Sequence, residues 1–301
     1  MKSNKIIRLT SIALLMLVAI ACRAQKETDR AAGAEVQSIS LPAFDAIDNE
    51  SAVRLYITQG NSRSVKVRHA AGWRLKLSVR GNTLRLETEK PSRQQNNYAE
   101  VWITIPSLKS INNDGAIHID ARNFNGKKLN IDNDGAMTLK ADRLHFETLT
   151  CTNDGALTDT LGIDCKEVYI DNDGSLKNQL TVGDNNIFEI NNQGALNGDI
   201  KVTGKNIKIE NEGAFNGEMT LLATTVTLNN DGAGKQKICF NGDKMNIKNN
   251  GSVNVELQVD CKTLKAESSG VSKLTIKGTA DDTQFDSSGI STIDSSNLNR
   301  F

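Results

Sequence analysis

Residues 112–136 read NNDGAIHIDARNFNGKKLNIDNDGA, so a short block around Asn-Asp-Gly returns after 20 residues. Similar blocks, among them TNDGA, DNDGS, NNQGA, NNGS and SSGV, continue to the end of the chain at spacings of 19 or 20 residues. The ten block glycines are Gly115, Gly135, Gly155, Gly174, Gly194, Gly213, Gly232, Gly251, Gly270 and Gly289. A fixed period of about 20 residues predicts a solenoid, in which each repeat packs on the next.

Apolar residues stand at fixed distances from each glycine, and most are separated by two positions, which is the period of a strand. One such set lies four residues before the glycines and includes Ile131, Cys151, Ile170, Ile190, Ile209 and Leu228. No segment has a 3.6-residue period long enough for a helix. We therefore predict an all-β fold, a single-stranded β-helix of about ten regular rungs stacked about 4.8 Å apart.

The corner of each repeat combines Asn, an acidic or polar residue and Gly. We expect the asparagines two residues before the glycines to stack their amides into a ladder, on a ridge outside the coil. The glycines would adopt φ > 0. Ser268 and Ser287 replace Asn in the last two rungs, which predicts a weaker ladder there.

The first 39 residues do not belong to this pattern. Basic residues precede an uncharged run over residues 9–21, which is typical of a secretion signal and too short to span a bilayer. Residues 19–22 read AIAC and resemble the lipobox of bacterial lipoproteins, which makes Cys22 a candidate lipidation site. Cleavage after Ala21 or Ala24 is the alternative. We predict a signal peptide over residues 1–24, a flexible tether over 25–39 and a β-helix domain over 40–301.

Within that domain, residues 40–106 lack the Asn-Asp-Gly corner but keep strand-like alternation, and all three prolines precede residue 107. We interpret residues 40–106 as irregular N-terminal strands that cap the regular rungs of 107–301. Four aromatic residues cluster in this cap, namely Tyr56, Trp73, Tyr98 and Trp102. We expect them to pack the cap rather than to stack on sugar rings.

Charge and cysteine content narrow the class of protein. Lys plus Arg and Asp plus Glu number 36 each, so the formal net charge is zero and a nucleic-acid partner is not expected. Besides Cys22, the chain has Cys151, Cys165, Cys239 and Cys261, whose spacing matches no zinc pattern. An exported protein permits disulfides, but we favour buried free thiols.

The main candidate site is an acid column formed by the residues directly before the glycines, Asp114, Asp134, Asp154 and Asp173. Stacked carboxylates bind a hard cation such as Ca²⁺ in one interpretation. In the other, each Asp only favours a tight turn and faces water. Gln193, Asn250 and Ser269 occupy the same position in later rungs, which favours the turn role, so no cofactor is expected.

Three stretches then resemble a known family: FDAIDNESAVRLYITQG (residues 44–60), GNTLRLE (81–87) and VWITIPSLKSINNDGAIHID (101–120). They are similar to the bacterial head GIN domain family, whose members are described as auto-transporter adhesins, and the likeness covers nearly all of residues 40–300. The resemblance implies an exported, right-handed single-stranded β-helix and supplies no catalytic residues to carry over.

We therefore predict a non-enzymatic β-helix of the cell envelope, an adhesin-like module that binds a polysaccharide or a protein surface. It would reside at the outer membrane, cell surface or periplasm, with a lipid anchor if Cys22 is acylated, and homo-oligomers are compatible with its exposed coil ends. The runner-up is a polysaccharide-active β-helix enzyme, a lyase or glycosidase, since stacked acids also have the separation of a retaining glycosidase pair. A structural envelope spacer is the third hypothesis.

Overall fold

The computed structural model describes residues 35–69, 74–90 and 98–300, without the side chain of Lys90. In that part of the chain every regular element is a strand, and no helix is long and apolar enough to cross a membrane. The predicted signal peptide, Cys22, Trp73 and most of the predicted tether lie outside the described residues.

The N-terminal strands are β1 Gln37–Ile39, β2 Ala46–Asn49, β3 Ala52–Gln59, β4 Ser64–His69, β5 Arg74–Arg80, β6 Thr83–Lys90, β7 Ala99–Ile105, β8 Ser110–Asn113, β9 Ala116–Arg122 and β10 Phe124–Asn133. The remaining strands are β11 Ala136–Asn153, β12 Ala156–Asn172, β13 Ser175–Asn192, β14 Ala195–Asn211, β15 Ala214–Asn230, β16 Ala233–Asn249, β17 Ser252–Ser268, β18 Lys273–Ser287 and β19 Thr292–Arg300.

The regular rungs follow the predicted repeat. Each strand from β11 to β17 is 17 or 18 residues long and spans one whole rung between two corners. Neighbouring rungs pair in parallel and in register, so Ile170 lies beside Ile190 and Ile190 beside Ile209. The protein is thus an all-β solenoid of about ten stacked parallel turns, as the repeat predicts.

The core consists of the predicted apolar columns. The residues four positions before the corner glycines are buried from Ile111 to Ala266, and Phe285 at the end is half-buried. The columns six before, two after and six after the glycine are buried as well, and Phe188, Phe215 and Phe240 fill the centre. Burying one such side chain stabilises the fold by about 1.5–3 kcal/mol, but only against the rungs above and below.

The N-terminal section is more regular than predicted. Strands β2 and β3 form a full coil that pairs in parallel with β8 and β9, so that Asn49 is level with Asn113. Above this coil lie β6 on β2 and β7 on β3, and β4 closes the top antiparallel to β7. Residues 37–39, placed in the tether by the sequence analysis, form β1 beside β4, because Ile39 packs against the core.

The asparagine ladder is confirmed, but its predicted place on an outer ridge is wrong. Each asparagine is at most 1% exposed. From Asn49 to Asn192, the Nδ2 group of each asparagine donates to the Oδ1 atom of the asparagine in the next rung at 2.6–2.7 Å. At Asn230, Oδ1 instead accepts from Nε2 of buried Gln236 at 3.0 Å. The amides belong inside because each bond of the ladder gives two buried polar atoms a partner without water.

The corner glycines are explained by crowding rather than by φ > 0. Only Gly270 and Gly289 of the ten have φ in the left-handed range, at 74° each. From Gly115 to Gly251, an added Cβ atom would lie 1.9–2.3 Å from the corner carbonyl oxygen of the previous rung. Consecutive corners stack backbone on backbone, and only hydrogen fits between them.

The four described cysteines are free, as predicted. Cys151, Cys165 and Cys261 are buried, and burial raises the pKa of each thiol, to about 12, 11 and 11 respectively. The prediction of burial is wrong for Cys239, which is exposed because it lies seven residues after Gly232 at an outward position of β16.

Candidate functional site

The outward residues that follow each corner glycine by five and seven positions form two parallel columns on one face of the solenoid. Over four rungs this face carries a groove of about 600 Å³. Its polar lining comes from β11 to β14 and comprises Lys140, Asp142, Thr160, Gln179, Thr181, Asp199 and Lys201. Each of these side chains is exposed. Because β-strands alternate, the neighbouring Ala141, Leu161 and Leu180 face the core and supply only the floor.

The charges in the groove are arranged crosswise. In the column five after the glycine, Lys140 occupies the upper end and Asp199 the lower end. In the column seven after the glycine, Asp142 is at the upper end and Lys201 at the lower end. The middle rungs contribute neutral Thr160, Gln179 and Thr181, so the groove carries balanced charge with hydrogen-bonding groups at its centre.

Directly behind the groove, the core contains two polar residues. Asp159 and Asn178 occupy the inward column four after the glycine, where the rungs above have Ile119 and Leu139. Both are buried, at 6% and 3% exposure. Burial raises the pKa of the Asp159 carboxyl to about 7, because desolvation disfavours its charged form.

These two residues mark an interruption in the sheet. Pairing of β12 with β13 passes from Thr158–Lys177 directly to Leu161–Leu180. In the interval, the backbone N–H of Gln179 donates to Oδ1 of Asp159 at 3.3 Å. The buried carboxyl thus replaces a missing ladder bond at the centre of the groove.

The same face bears an aromatic stack at its N-terminal end. The rings of Tyr56 and Trp102 are 5.6 Å apart and nearly parallel, at 9°. The Arg68 guanidinium lies 5.4 Å from the centre of the Trp102 ring. Tyr56 is in register with Asp120, and Asp120 with Lys140, so the stack leads into the groove. Because Arg68 and Tyr56 already contact Trp102, this ring is not a free platform for a sugar.

The acid column stands where the sequence places it. Asp114, Asp134, Asp154 and Asp173 lie on consecutive corners and are exposed. At each corner, the N–H groups of Asp and Gly both donate to an asparagine carbonyl of the previous rung, as in Asp134 to Asn113 at 3.0 Å. On the same side, desolvation and then the carboxylates of Asp134, Asp154 and Asp114 raise the pKa of Asp132. Acids on this side therefore repel one another.

In the part of the chain that the structure describes, no group of three His, Cys, Asp or Glu residues is positioned to hold a metal ion. We therefore expect the melting temperature of the purified protein to stay constant when millimolar Ca²⁺ is added, because the corner acids act as turn formers. Differential scanning calorimetry in EDTA and in Ca²⁺ measures this. A rise of several degrees would contradict the expectation and make the acid column a cation site.

Sequence reasoning missed the groove, although a signal for it was present. The inward column four after the glycine reads Ile119, Leu139, Asp159, Asn178, Gly198. Aliphatic residues give way to polar Asp159 and Asn178 at the two central rungs, and a polar residue returns in this column at Gln236, which bonds to Asn230. The repeated corner acids are more conspicuous in the sequence than this local departure from the repeat.

A family model described as "Putative auto-transporter adhesin, head GIN domain" matches residues 43–175 and again residues 158–300. A solved structure described as a putative adhesin from Bacteroides fragilis NCTC 9343 is 17% identical, with 88% of this chain and 97% of that chain covered and a TM-score of 0.44. A structure from Parabacteroides distasonis ATCC 8503, also described as a putative adhesin, is 14% identical over 86% and 96% of the two chains, with a TM-score of 0.44.

Another structure from Parabacteroides distasonis ATCC 8503 is described as a putative lipid binding protein. It is 13% identical over 88% of this chain and 97% of that chain, with a TM-score of 0.34. A search of curated proteins gave no match. The two family matches overlap and together span residues 43–300. The chain belongs to the head GIN domain family, described as putative auto-transporter adhesins.

Proposed function

We propose that the protein is a non-enzymatic binding module of the bacterial cell envelope, which holds a polysaccharide or protein surface against the side of its solenoid. The adhesin description of its family supports an exported, surface-located role. The observation that carries the proposal is the long outward face with its groove, which presents polar side chains in straight columns across successive rungs.

Binding along such a face would add many weak contacts. The outward columns keep the strand spacing of about 4.8 Å over the whole stack, so a long ligand meets similar side chains at regular intervals. Each contact contributes little, but contacts within one ligand act together because the first one holds the rest nearby. This arrangement suits an extended surface or polymer better than a small metabolite.

The electrostatics of the rod favour recognition by hydrogen bonds. Opposite charges meet on consecutive rungs, as in Lys208 with Glu189 at 3.1 Å and Lys262 with Asp243 at 2.8 Å. The formal net charge is zero. Such paired, exposed charges do little for stability, but they leave few unbalanced charges to attract a polyanion.

The proposal includes export and, through acylation of Cys22, a lipid anchor in the outer membrane. An anchored chain would keep the solenoid near the membrane without spanning it. The face described above would then be available to polymers or proteins at the cell surface.

A glycan array combined with a cleavage assay tests the function. We expect the purified protein to bind surface polysaccharides without releasing new reducing or unsaturated ends. Asp134→Asn serves as the matched variant, because it removes the charge of one corner acid and leaves a side chain of the same shape that still accepts a hydrogen bond. If fragments appear and Asp134→Asn abolishes them, the protein is an enzyme. If neither polysaccharides nor protein-coated surfaces are retained, a structural spacer is the better explanation.

A further inference from the structure

We propose that the groove over β11 to β14 is a specific binding site for a segment of a neutral oligosaccharide. The proposal rests on the proposed function and assigns it to one place on the rod. Four rungs span about 14 Å between the first and the last, since adjacent strands are about 4.8 Å apart. The volume of about 600 Å³ lies in the usual range for small-ligand sites of about 300–1,000 Å³.

The charge pattern selects a neutral ligand. The groove has one Lys and one Asp at each end, in opposite order in the two columns, so an anionic chain would meet a carboxylate at both ends. Sugar hydroxyls both donate and accept hydrogen bonds. Lysine donates, aspartate accepts, and the central threonine and glutamine do both, which matches a hydroxyl-rich, uncharged ligand.

The middle of the groove is kept open by the backbone. Gly162 lies between Asp142 and Thr181 in the column seven after the glycine. An added Cβ atom there would lie 2.2 Å from the carbonyl oxygen of Asp142. A side chain at this position is therefore excluded, so the rung of β12 contributes no side chain to this column between Asp142 and Thr181.

The buried pair behind the groove indicates that this location is specialised. Both amide atoms of Asn178 are buried and have no hydrogen-bond partner among the described residues. Burying such groups costs stability, and aliphatic residues fill the same column in the rungs above. The carboxyl of Asp159 fixes the backbone of Gln179, whose side chain faces the groove. The costly polar residues therefore coincide with the two rungs that supply the uncharged centre.

Titration calorimetry with neutral hexasaccharides of glucose, mannose, xylose and N-acetylglucosamine tests the site, with oligogalacturonate as an anionic probe. The groove variant is Thr160→Ala/Gln179→Ala, which removes two exposed side chains and should leave folding intact. The matched control is Thr220→Ala/Gln258→Ala, which removes the same residue types at exposed outward positions on lower rungs. Equal melting temperatures of the three proteins would establish that the rungs are intact.

We expect at least one neutral hexasaccharide to bind, the groove variant to lose about tenfold or more in affinity, and the control to bind as the unmodified protein does. Neutral-sugar binding that survives in the groove variant would overturn the assignment of the site while leaving the proposed function in place. Binding of oligogalacturonate alone would overturn the neutral-ligand assignment. Absence of binding to every sugar, with retention on protein-coated surfaces, would overturn the glycan site and redirect the proposed function to proteins.

Discussion

Gly194→Ala is expected to destabilise the protein by about 3 kcal/mol, at the upper end of what overpacking costs. An added Cβ atom would lie 2.0 Å from the carbonyl oxygen of Gly174 in the previous rung. That oxygen cannot move away easily, because it accepts a hydrogen bond from the N–H of Ala195 at 2.8 Å. Thermal melting should show a fall of roughly 6–12 °C.

Gly183→Ala in β13 is the matched control. Nothing lies within 4 Å of a Cβ atom built on Gly183. An alanine there should be neutral or stabilise by up to about 1 kcal/mol, because it restricts the unfolded chain. If both variants melt alike, close backbone stacking at the corners is not what requires glycine.

Asp159→Asn is expected to stabilise the protein at pH 8, by up to about 4 kcal/mol. Burial raises the pKa of this carboxyl from 3.8 to about 7, so folding favours its protonated form. The free-energy cost of burying the ionised carboxylate is absent below the pKa of the unfolded chain, grows between pH 4 and 7, and is constant above that range. Asparagine keeps the acceptor for the Gln179 N–H without the ionisation, and the next rung already has Asn178 in the same column.

Urea unfolding at several pH values measures this difference. The stability of the unmodified protein relative to Asp159→Asn should fall as the pH rises through the range 4–7. Asp199→Asn, which removes an exposed carboxyl of the groove, is the matched control. A parallel profile for Asp159→Asn and the unmodified protein would show that Asp159 is not held in a desolvated position.

Much of the fold could be predicted because the solenoid repeats the same environment. Every rung needs apolar residues at the same offsets, so the glycine spacing alone defines the columns of the core. The first coil was not predicted, because its corner reads Asn49-Glu50-Ser51 and has no glycine. The surrounding residues 47–53 (IDNESAV) nevertheless parallel residues 131–137 (IDNDGAM). Serine occupies the glycine position at this corner, where it is buried and its hydroxyl contacts that of Thr88.

The candidate site was harder to predict because a site departs from the repeat. The corner acids are visible in the sequence since they recur, but recurrence reflects the needs of the turn. The groove depends on charges three rungs apart, Lys140 and Asp199 among them, and on the missing side chain at Gly162. Those relations exist only once the coil brings distant residues into line.

The first coil and the regular rungs differ in how far along the chain their hydrogen-bond partners lie. A regular rung forms hydrogen bonds with residues 19 or 20 positions earlier, as Asn153 does with Asn133. Asn49 instead bonds to Asn113, which lies 64 positions later in the chain. Since closing longer loops costs more entropy and slows folding, we expect the cap to be the slow nucleus and the rungs to add rapidly afterwards. A chain emerging amino end first would then wind up in one direction, each new turn templated by the one before it.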